Sequence, residues 1–250
     1  MMRYILSARS GSVLKKFASG NVLLAFDFDG TLAPITSEPD RAAILPSTRR
    51  LLQKLAIQYP CIVVSGRSRA DVRRRLSGIQ FAEVIGNHGI EPWDSSPAIA
   101  ETVRTWIPVL KRRFEPLQGV ILEDKQYSLS VHYRKAQNKT KTIKAIKKIA
   151  NTLIGAHFIG GKQVINIVPK GVPDKGLAVE RERRRQHCDK VIFLGDDETD
   201  EAVFALLPPD RFLTIRVGAK RSSLARFYIR DQKEVDPLIS SLITLRTGRS

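Results

Sequence analysis

The chain has 250 residues, of which 42% are hydrophobic and 27% charged, a composition that is typical of a soluble globular protein and excludes general disorder. No apolar run approaches the roughly 20 residues that a membrane-spanning helix needs, and residues 1–12 lack the long apolar segment of a secretory signal. Lys and Arg number 42 against 25 Asp and Glu, so the formal net charge is +17, which indicates either an anionic partner or a solvated basic surface.

The basic residues are concentrated in residues 101–150, which hold twelve Lys or Arg and four Asp or Glu. This stretch has neither zinc-ligand spacing nor aromatic residues interleaved with the basic ones, so nucleic acid is not expected as a partner. The two cysteines, Cys61 and Cys188, are too few for a disulfide scaffold. We therefore expect a cytoplasmic protein.

The first third of the chain alternates between apolar runs and helical patterns. Continuous apolar runs at 21–28, 61–65 and 82–86 predict three buried parallel strands. Helices are predicted between them, one after Ser47, which resembles an N-cap, and a short polar one over 69–77.

The pattern changes in the middle of the chain. Residues 119–123 and 126–133 predict a hairpin with a tight turn at Asp124-Lys125. A Lys-rich helix with its apolar stripe within 143–153 follows, and then a second hairpin formed by 157–159 and 163–168. We interpret residues 95–168 as an inserted α+β domain.

The parallel pattern then returns to the end of the chain. Helices and strands are predicted to alternate there, at 174–187, 190–195, 200–207, 211–217 and 235–245. The predicted fold is a doubly wound α/β core formed by 1–94 and 169–250, with the insert after its third strand.

The first chemical motif is Asp27-Phe28-Asp29-Gly30-Thr31, at the carboxyl end of the first apolar strand, where open α/β sheets bind ligands. Carboxylates two residues apart in extended chain point the same way and repel unless a cation or a shared proton lies between them. Gly30 permits a sharp turn, and Thr31 offers a hydroxyl and an N–H to an anion. The alternative is a plain acidic turn at a strand end.

The second motif, residues 195–201, also follows an apolar strand and contains Asp196, Asp197, Asp200 and Glu201. Carboxylates at this density favour a hard cation, although Asp200 and Glu201 also suit a helix N-terminus. The ligand spacing of an EF-hand is absent.

Two quieter motifs complete the set. Ser65-Gly66-Arg67 follows the second strand, and Lys175 follows Asp174 at the start of a predicted helix. A hydroxyl and an ammonium at these places suit phosphate oxygens, although such residues are usually structural.

The four motifs, in this order and at these places, resemble the haloacid dehalogenase (HAD) superfamily of phosphotransferases. The resemblance implies that Asp27 is the nucleophile that becomes an aspartyl-phosphate, and that Asp29 protonates the leaving alkoxide and then activates water. It also implies that Ser65 and Lys175 hold the phosphoryl oxygens, together with Thr31.

The same resemblance implies a Mg²⁺ cofactor. The ion would be held by the Asp27 carboxylate, the Asp29 backbone carbonyl and Asp196. Asp197 or Asp200 would help through water or by orienting these ligands.

An insert between the Ser and Lys motifs looks like the C2-type cap of HAD sugar phosphatases. The insert segment 123–134 (EDKQYSLSVHYR), together with 65–67, 86–91, 195–201 and 217–228, resembles the trehalose-6-phosphate phosphatase family, and the likeness covers about residues 20–245. By this resemblance the candidate contacts for sugar hydroxyls or phosphate are Arg67, His88, Lys125, His132, Arg134 and Asn166.

One position departs from that family, which usually has Glu where this chain has Asn166. Asn can donate and accept hydrogen bonds but carries no charge. The alternative to binding for Lys125 and Arg134 is solvated charge on an edge hairpin.

The resemblance implies a Mg²⁺-dependent phosphatase that removes phosphate from trehalose 6-phosphate, with a cap that closes over the sugar. The alternatives are another sugar or glycosyl-glycerate phosphate as substrate, and a basic anion-binding module without turnover. A trehalose-phosphate synthase is a candidate partner, and a monomer that binds no membrane is expected.

Overall fold

The computed structural model describes residues 2–36 and 38–248. The chain forms two compact units: unit 1 consists of Met1–Gly89 and Asp174–Ser250, and unit 2 of Ile90–Pro173. The predicted insert spanned 95–168, so unit 2 extends five residues further at each end. None of the helices within the described ranges combines the length and hydropathy needed to cross a membrane.

The strands are, in chain order, β1 Arg3–Tyr4, β2 Val22–Phe26, β3 Cys61–Val64, β4 Glu83–Ile85, β5 Ile121–Asp124, β6 Leu129–His132, β7 Ala156–Gly161, β8 Val164–Pro169, β9 Lys190–Gly195, β10 Phe212–Val217 and β11 Phe227–Ile229. The α-helices are α1 Gly11–Ala18, α2 Pro46–Gln58, α3 Arg69–Arg75, α4 Pro97–Phe114, α5 Lys139–Ala150, α6 Lys175–Arg185, α7 Glu201–Phe204 and α8 Val235–Thr247.

Unit 1 is built on a parallel sheet with the strand order β1-β11-β10-β9-β2-β3-β4. The alternate residues of β2 enter two separate cores: Leu24 and Phe26 face one side, and Leu23 and Ala25 the other. Helices α1, α2 and α8 supply the first core, and α6 and α7 the second. Because both faces are covered, the central strands are apolar throughout, which is the pattern the sequence shows.

Unit 2 is built on an antiparallel sheet with the order β5-β6-β8-β7. One face packs against α4 and α5, with Val131 and Ile165 of the sheet in the same apolar cluster as Trp106 and Ile146 of the helices. The alternate residues of β6 and β8 lie on the opposite face.

The structure corrects two local predictions and adds elements that were not predicted. Helix α2 begins at Pro46 with Leu45 as its N-cap, so the assignment of Ser47 as N-cap is wrong. The first hairpin of unit 2 has no two-residue turn, because β5 continues to Asp124 and β6 begins at Leu129. The unpredicted strands and α-helices are β1, α1, α4 and β11.

Candidate active site

The candidate site of unit 1 lies at the carboxyl ends of three neighbouring strands. Asp27 follows β2, Ser65 follows β3 and Asp196 follows β9, and these strands are adjacent in the order β9-β2-β3. Parallel strands end at the same edge of a sheet, so the fold brings together motifs that are far apart in sequence. The backbone N–H of Asp27 continues the sheet pattern by donating to the Leu194 carbonyl at 2.9 Å.

Gly30 makes the turn after Asp29 possible. Its φ of +81° lies in the left-handed region, and a Cβ built there would lie 2.2 Å from the Asp196 Oδ2. The adjacent Thr31 is buried, with its Oγ1 3.5 Å from the Asp196 Oδ1. The turn therefore holds two motifs in contact, and only glycine fits at its sharpest point.

Replacing Gly30 by Ala is expected to lower the free energy of unfolding by more than the same change at Gly78. Gly78 has the same kind of backbone, with φ +80°, but its nearest neighbour is the Gln53 Nε2 at 4.0 Å. Gly78→Ala should therefore cost only the conformational strain of roughly 1–2 kcal/mol. Urea unfolding of both variants measures the difference, and equal losses would show that Asp196 does not restrict this turn.

Lys175 lies at the centre of a buried ionic cluster. Its Nζ donates to the Asp27 Oδ1 at 2.7 Å and to the Asp200 Oδ1 at 2.8 Å. The exposed side-chain fractions are only 2% for Lys175, 6% for Asp27 and 0% for Asp200. Water screens such contacts very little, so the charges of this cluster act on one another strongly.

Asp200 also organises the backbone of the loop formed by residues 196–201, which we call the acidic loop. Its Oδ2 accepts hydrogen bonds from the backbone N–H of Asp196 at 2.8 Å and of Asp197 at 2.9 Å. The carboxylate thus links the loop to Lys175. By contrast, the Asp197 side chain accepts from the Glu198 N–H and lies outside the buried cluster.

The donor set of this cluster fits a divalent cation. Ligand oxygens of Asp27, Asp196 and Asp200 all lie within 4.8 Å of one another, and all three residues are buried. Burial raises the pKa of the Asp27 carboxyl well above its usual range; Asp200 and Asp196 raise it further, and Lys175 opposes them. Three carboxylates facing one ammonium need another positive charge to be ionised together, and buried oxygen ligands suit Mg²⁺.

Lys175 itself is held in its charged form. Burial alone would lower the pKa of the ammonium, but the carboxylates of Asp200 and Asp27 outweigh burial, and the pKa of Lys175 is raised. A permanent positive charge next to Asp27 suits the binding of an anion at this place.

Arg67 contacts Asp29 in this structure. Its Nε and Nη2 donate to the two carboxylate oxygens of Asp29, both at 2.7 Å, and its Nη1 donates to Asp71 at 3.0 Å. This two-point contact orients the Asp29 carboxylate. Arg67 was predicted to contact substrate, and the structure adds a role in holding Asp29.

Ser65 and His88 lie close to each other, on either side of Arg67 in the sequence. Ser65 is fully buried, and its carbonyl accepts from the His88 N–H at 2.9 Å. A Cβ at Gly66 would lie 2.4 Å from the His88 Cε1, so the imidazole packs directly on this glycine. Both residues therefore belong to the same site region as Arg67.

Unit 2 carries a second set of polar residues on the face of its sheet opposite the helices. Glu123, Ser130 and Asn166 are direct cross-strand partners on β5, β6 and β8, and we call them the polar row. The Lys125 Nζ donates to the Ser130 Oγ at 2.7 Å, and that hydroxyl donates to the Asn166 Oδ1 at 2.7 Å. The His132 Nε2 lies 2.7 Å from the Glu123 Oε2.

The structure thus brings Lys125, His132 and Asn166 together through two residues that the sequence prediction did not select, Glu123 and Ser130. Strand alternation could have identified Ser130, because Ser130 and His132 differ by two and lie on the same face. Glu123 is the cross-strand partner of Ser130 and therefore shares that face. Arg134 differs from His132 by two as well, so alternation in an extended strand would place it on the same face, but β6 ends at His132 and Arg134 lies in the following turn.

Comparison with known sequences gives a consistent family match. The family model for Trehalose-phosphatase matches residues 25–231. Trehalose-phosphate phosphatase from Mycobacterium tuberculosis is 35% identical over 201 residues, which cover 74% of this chain and 51% of that protein. The same-named protein from Mycobacterium leprae is 32% identical over 198 residues, with 72% and 46% covered. The chain therefore spans about half the length of the curated relatives it matches.

Solved structures confirm the predicted α/β fold with an antiparallel insert. The Candida albicans trehalose-6-phosphate phosphatase C-terminal domain has a TM-score of 0.79 at 21% identity, covering 97% of this chain and 98% of that one. A trehalose-6-phosphate phosphatase related protein has a TM-score of 0.74 at 25% identity, with 91% and 100% covered. The sucrose-phosphatase of Synechocystis sp. has a TM-score of 0.59 at 14% identity, with 90% and 98% covered.

Proposed function

We propose that this chain, which belongs to the trehalose-phosphatase family, hydrolyses trehalose 6-phosphate to trehalose and phosphate. The observation that carries the proposal is the buried cluster of Asp27, Lys175, Asp196 and Asp200 at the strand ends. Burying three carboxylates and an ammonium costs free energy, and a protein that only binds anions at its surface does not need such a cluster. The cluster therefore favours a phosphoryl-transfer enzyme over a basic binding module.

Asp27 is the proposed nucleophile. Its carboxylate oxygen attacks phosphorus, the new O–P bond forms, and the bond between phosphorus and the sugar oxygen breaks. In its protonated form Asp29 gives a proton to the departing sugar oxygen. The two-point contact with Arg67 favours the ionised form of Asp29, which is the form that acts as base in the second step. Water then attacks phosphorus, Asp29 takes up the water proton, and Asp27 is restored as phosphate leaves.

The other residues of the site would bind the phosphoryl group and the cation. Lys175, with Ser65 and Thr31, would bind the phosphoryl oxygens. The Asp27 and Asp196 carboxylates and the Asp29 carbonyl would hold Mg²⁺, with Asp200 orienting the loop. When bound, Mg²⁺ supplies positive charge that reduces the repulsion between a carboxylate and a phosphate dianion.

The polar row and Lys125, His132 and Arg134 are the proposed sugar-recognition groups. The residues of the strand-end cluster suit any phosphomonoester, so discrimination among sugars requires other groups. Charged and amide side chains give hydroxyl-rich ligands several donors and acceptors. Asn166 accepts from Ser130 in place of the charged Glu of the family, so another sugar or glycosyl-glycerate phosphate is the second candidate substrate.

Lys125→Ala and Arg134→Ala are expected to lower kcat/KM for trehalose 6-phosphate selectively. Loss of one charged hydrogen bond to a bound hydroxyl removes roughly 1.5–3 kcal/mol, or about ten- to a hundredfold in kcat/KM. Phenyl phosphate, which has no sugar, should lose far less. Steady-state kinetics on both substrates measures this ratio, with the exposed Lys139→Ala as matched control.

Two results would contradict this assignment. Equal losses on both substrates would show that Lys125 and Arg134 serve folding or phosphate binding. Unchanged kinetics on both substrates would show that the two residues have no role in recognition.

Phosphate release from a panel of sugar phosphates in the presence of Mg²⁺ tests the proposed function directly. Trehalose 6-phosphate should be the preferred substrate, and preference for another sugar phosphate would support the second candidate. Salt-dependent polyanion binding without any turnover would refute the enzyme assignment. A trehalose-phosphate synthase as partner, a monomeric state and a cytoplasmic location stay predictions.

A further inference from the structure

Arg216 is a buried arginine near the carboxyl end of a largely apolar strand. It belongs to β10, whose six residues Phe212–Val217 are all buried, and only 7% of its side chain is exposed. An unpaired guanidinium in such a place would be strongly destabilising. The contacts of Arg216 therefore indicate what it does in this fold.

The Arg216 guanidinium donates hydrogen bonds to three groups of the acidic loop. Its Nη1 donates to the Asp197 carbonyl at 3.2 Å and to the Glu201 Oε1 at 3.0 Å, and its Nη2 donates to the Asp196 carbonyl. The strand register explains the reach, because Arg216 is the cross-strand partner of Gly195, the residue just before Asp196. A planar guanidinium can serve several acceptors at once.

The acidic loop is thus fixed through both the N–H and the carbonyl groups of its backbone. Asp200 accepts from the N–H groups of Asp196 and Asp197, and Arg216 donates to the carbonyl groups of the same two residues. With these four backbone groups bonded, the Asp196 carboxylate projects from a backbone with little freedom. Residues that orient a ligand without touching the metal strongly affect metal affinity.

From these contacts we infer that Arg216 is a positioning residue that holds the acidic loop in the shape needed to bind a divalent cation. The inference rests on the proposed function, which supplies the cation. It adds to the site a residue of β10, a strand that carries none of the four sequence motifs. Glu201 acts with it, because its second carboxylate oxygen accepts from the Leu224 N–H at 2.8 Å while the first pairs with Arg216.

Mn²⁺ binding to the metal-stripped full chain, followed by calorimetry, tests this inference. Arg216→Met should weaken Mn²⁺ binding by about ten- to a hundredfold. Arg216→Lys should weaken it by less, because an ammonium keeps the positive charge but not the planar set of N–H donors. The Mg²⁺ concentration for half-maximal phosphatase activity should rise in the same order, with a smaller change in KM for the sugar phosphate.

Arg183 offers a matched control. Its guanidinium also pairs with a carboxylate, that of Glu180, and donates to a backbone carbonyl, that of Cys188. Cys188 precedes β9, at the opposite end of that strand from the acidic loop. Arg183→Met and Arg183→Lys should therefore leave Mn²⁺ binding as in the wild type.

Mn²⁺ affinity of folded Arg216→Met within about threefold of wild type would overturn the inference, as would equal losses in the Arg183 variants. If Arg216→Met does not fold, Arg216→Lys and Glu201→Gln decide, and wild-type Mn²⁺ binding in both would overturn it. Mn²⁺ binding by a wild-type chain that hydrolyses no sugar phosphate would refute the proposed function but not the role of Arg216. A wild-type chain that binds no Mn²⁺ would overturn the inference itself.

Discussion

Asp27→Asn is expected to lower kcat by more than about 10⁴-fold, because an amide oxygen is too weak a nucleophile to attack phosphorus. The fold should persist, since the amide oxygen still accepts the Lys175 hydrogen bond and the repulsion by Asp196 and Asp200 is reduced. The melting temperature should stay the same or rise. Kinetics and thermal unfolding of the same preparation measure both effects.

The exposed Asp189→Asn serves as the control for loss of one carboxylate outside the cluster. It should leave kcat unchanged. A substantial fraction of wild-type kcat in Asp27→Asn would exclude the aspartyl-phosphate route, whereas loss of kcat together with collapse of the melting temperature would indicate a structural role for this carboxylate.

Removal of divalent cations is expected to abolish turnover, and added Mg²⁺ to restore it. The physical reason is the excess of negative charge around Lys175, which an incoming phosphate would increase. Ca²⁺ should restore little activity, because its larger and looser ligand shell misplaces the phosphate. Phosphate release measured after chelation and metal replacement tests this, and full activity in excess chelator would refute a metal-dependent reaction.

Within the acidic loop, Asp196 and Asp197 provide a matched pair. Asp196→Ala should raise the Mg²⁺ requirement by about a hundredfold or more, since its carboxylate belongs to the buried cluster. Asp197→Ala should have a much smaller effect, because that side chain lies outside the buried cluster and accepts from the Glu198 N–H. Similar Mg²⁺ requirements in both variants would show that the ion is not held by Asp196.

The strand-end part of the site was predictable because it follows from uninterrupted apolar runs. Runs such as 61–65 are short, rich in β-branched residues and flanked by Pro60 and Gly66, which favours strands covered on both faces. Polar residues directly after neighbouring parallel strands meet at one edge of the sheet. This reasoning needs no knowledge of side-chain contacts, and it brought Asp27, Ser65 and Asp196 together.

Other features depend on competition between local signals. Ser47 is a good N-cap type, but Pro46 before it is pre-organised for the first helical position and moves the start of α2. Helix α4 contains Pro108 in its interior, which obscures an apolar stripe that includes Val103, Trp106 and Leu110. Arg216 lies in a predicted strand with no acidic residue near it in sequence. Its three acceptors follow only from the register of β10 with β9, which places Arg216 beside Gly195.

The division of unit 1 into two stretches of chain affects how the protein emerges from the ribosome. β2 pairs with β9, and β9 is translated only after the whole of unit 2. During that interval one edge of β2 lacks its neighbour, and an apolar strand with an open edge is prone to pair with other chains. Unit 2 is contiguous and can complete its own strand pairs at once. The edge of β2 therefore stays open throughout the synthesis of the insert, until β9 pairs with it.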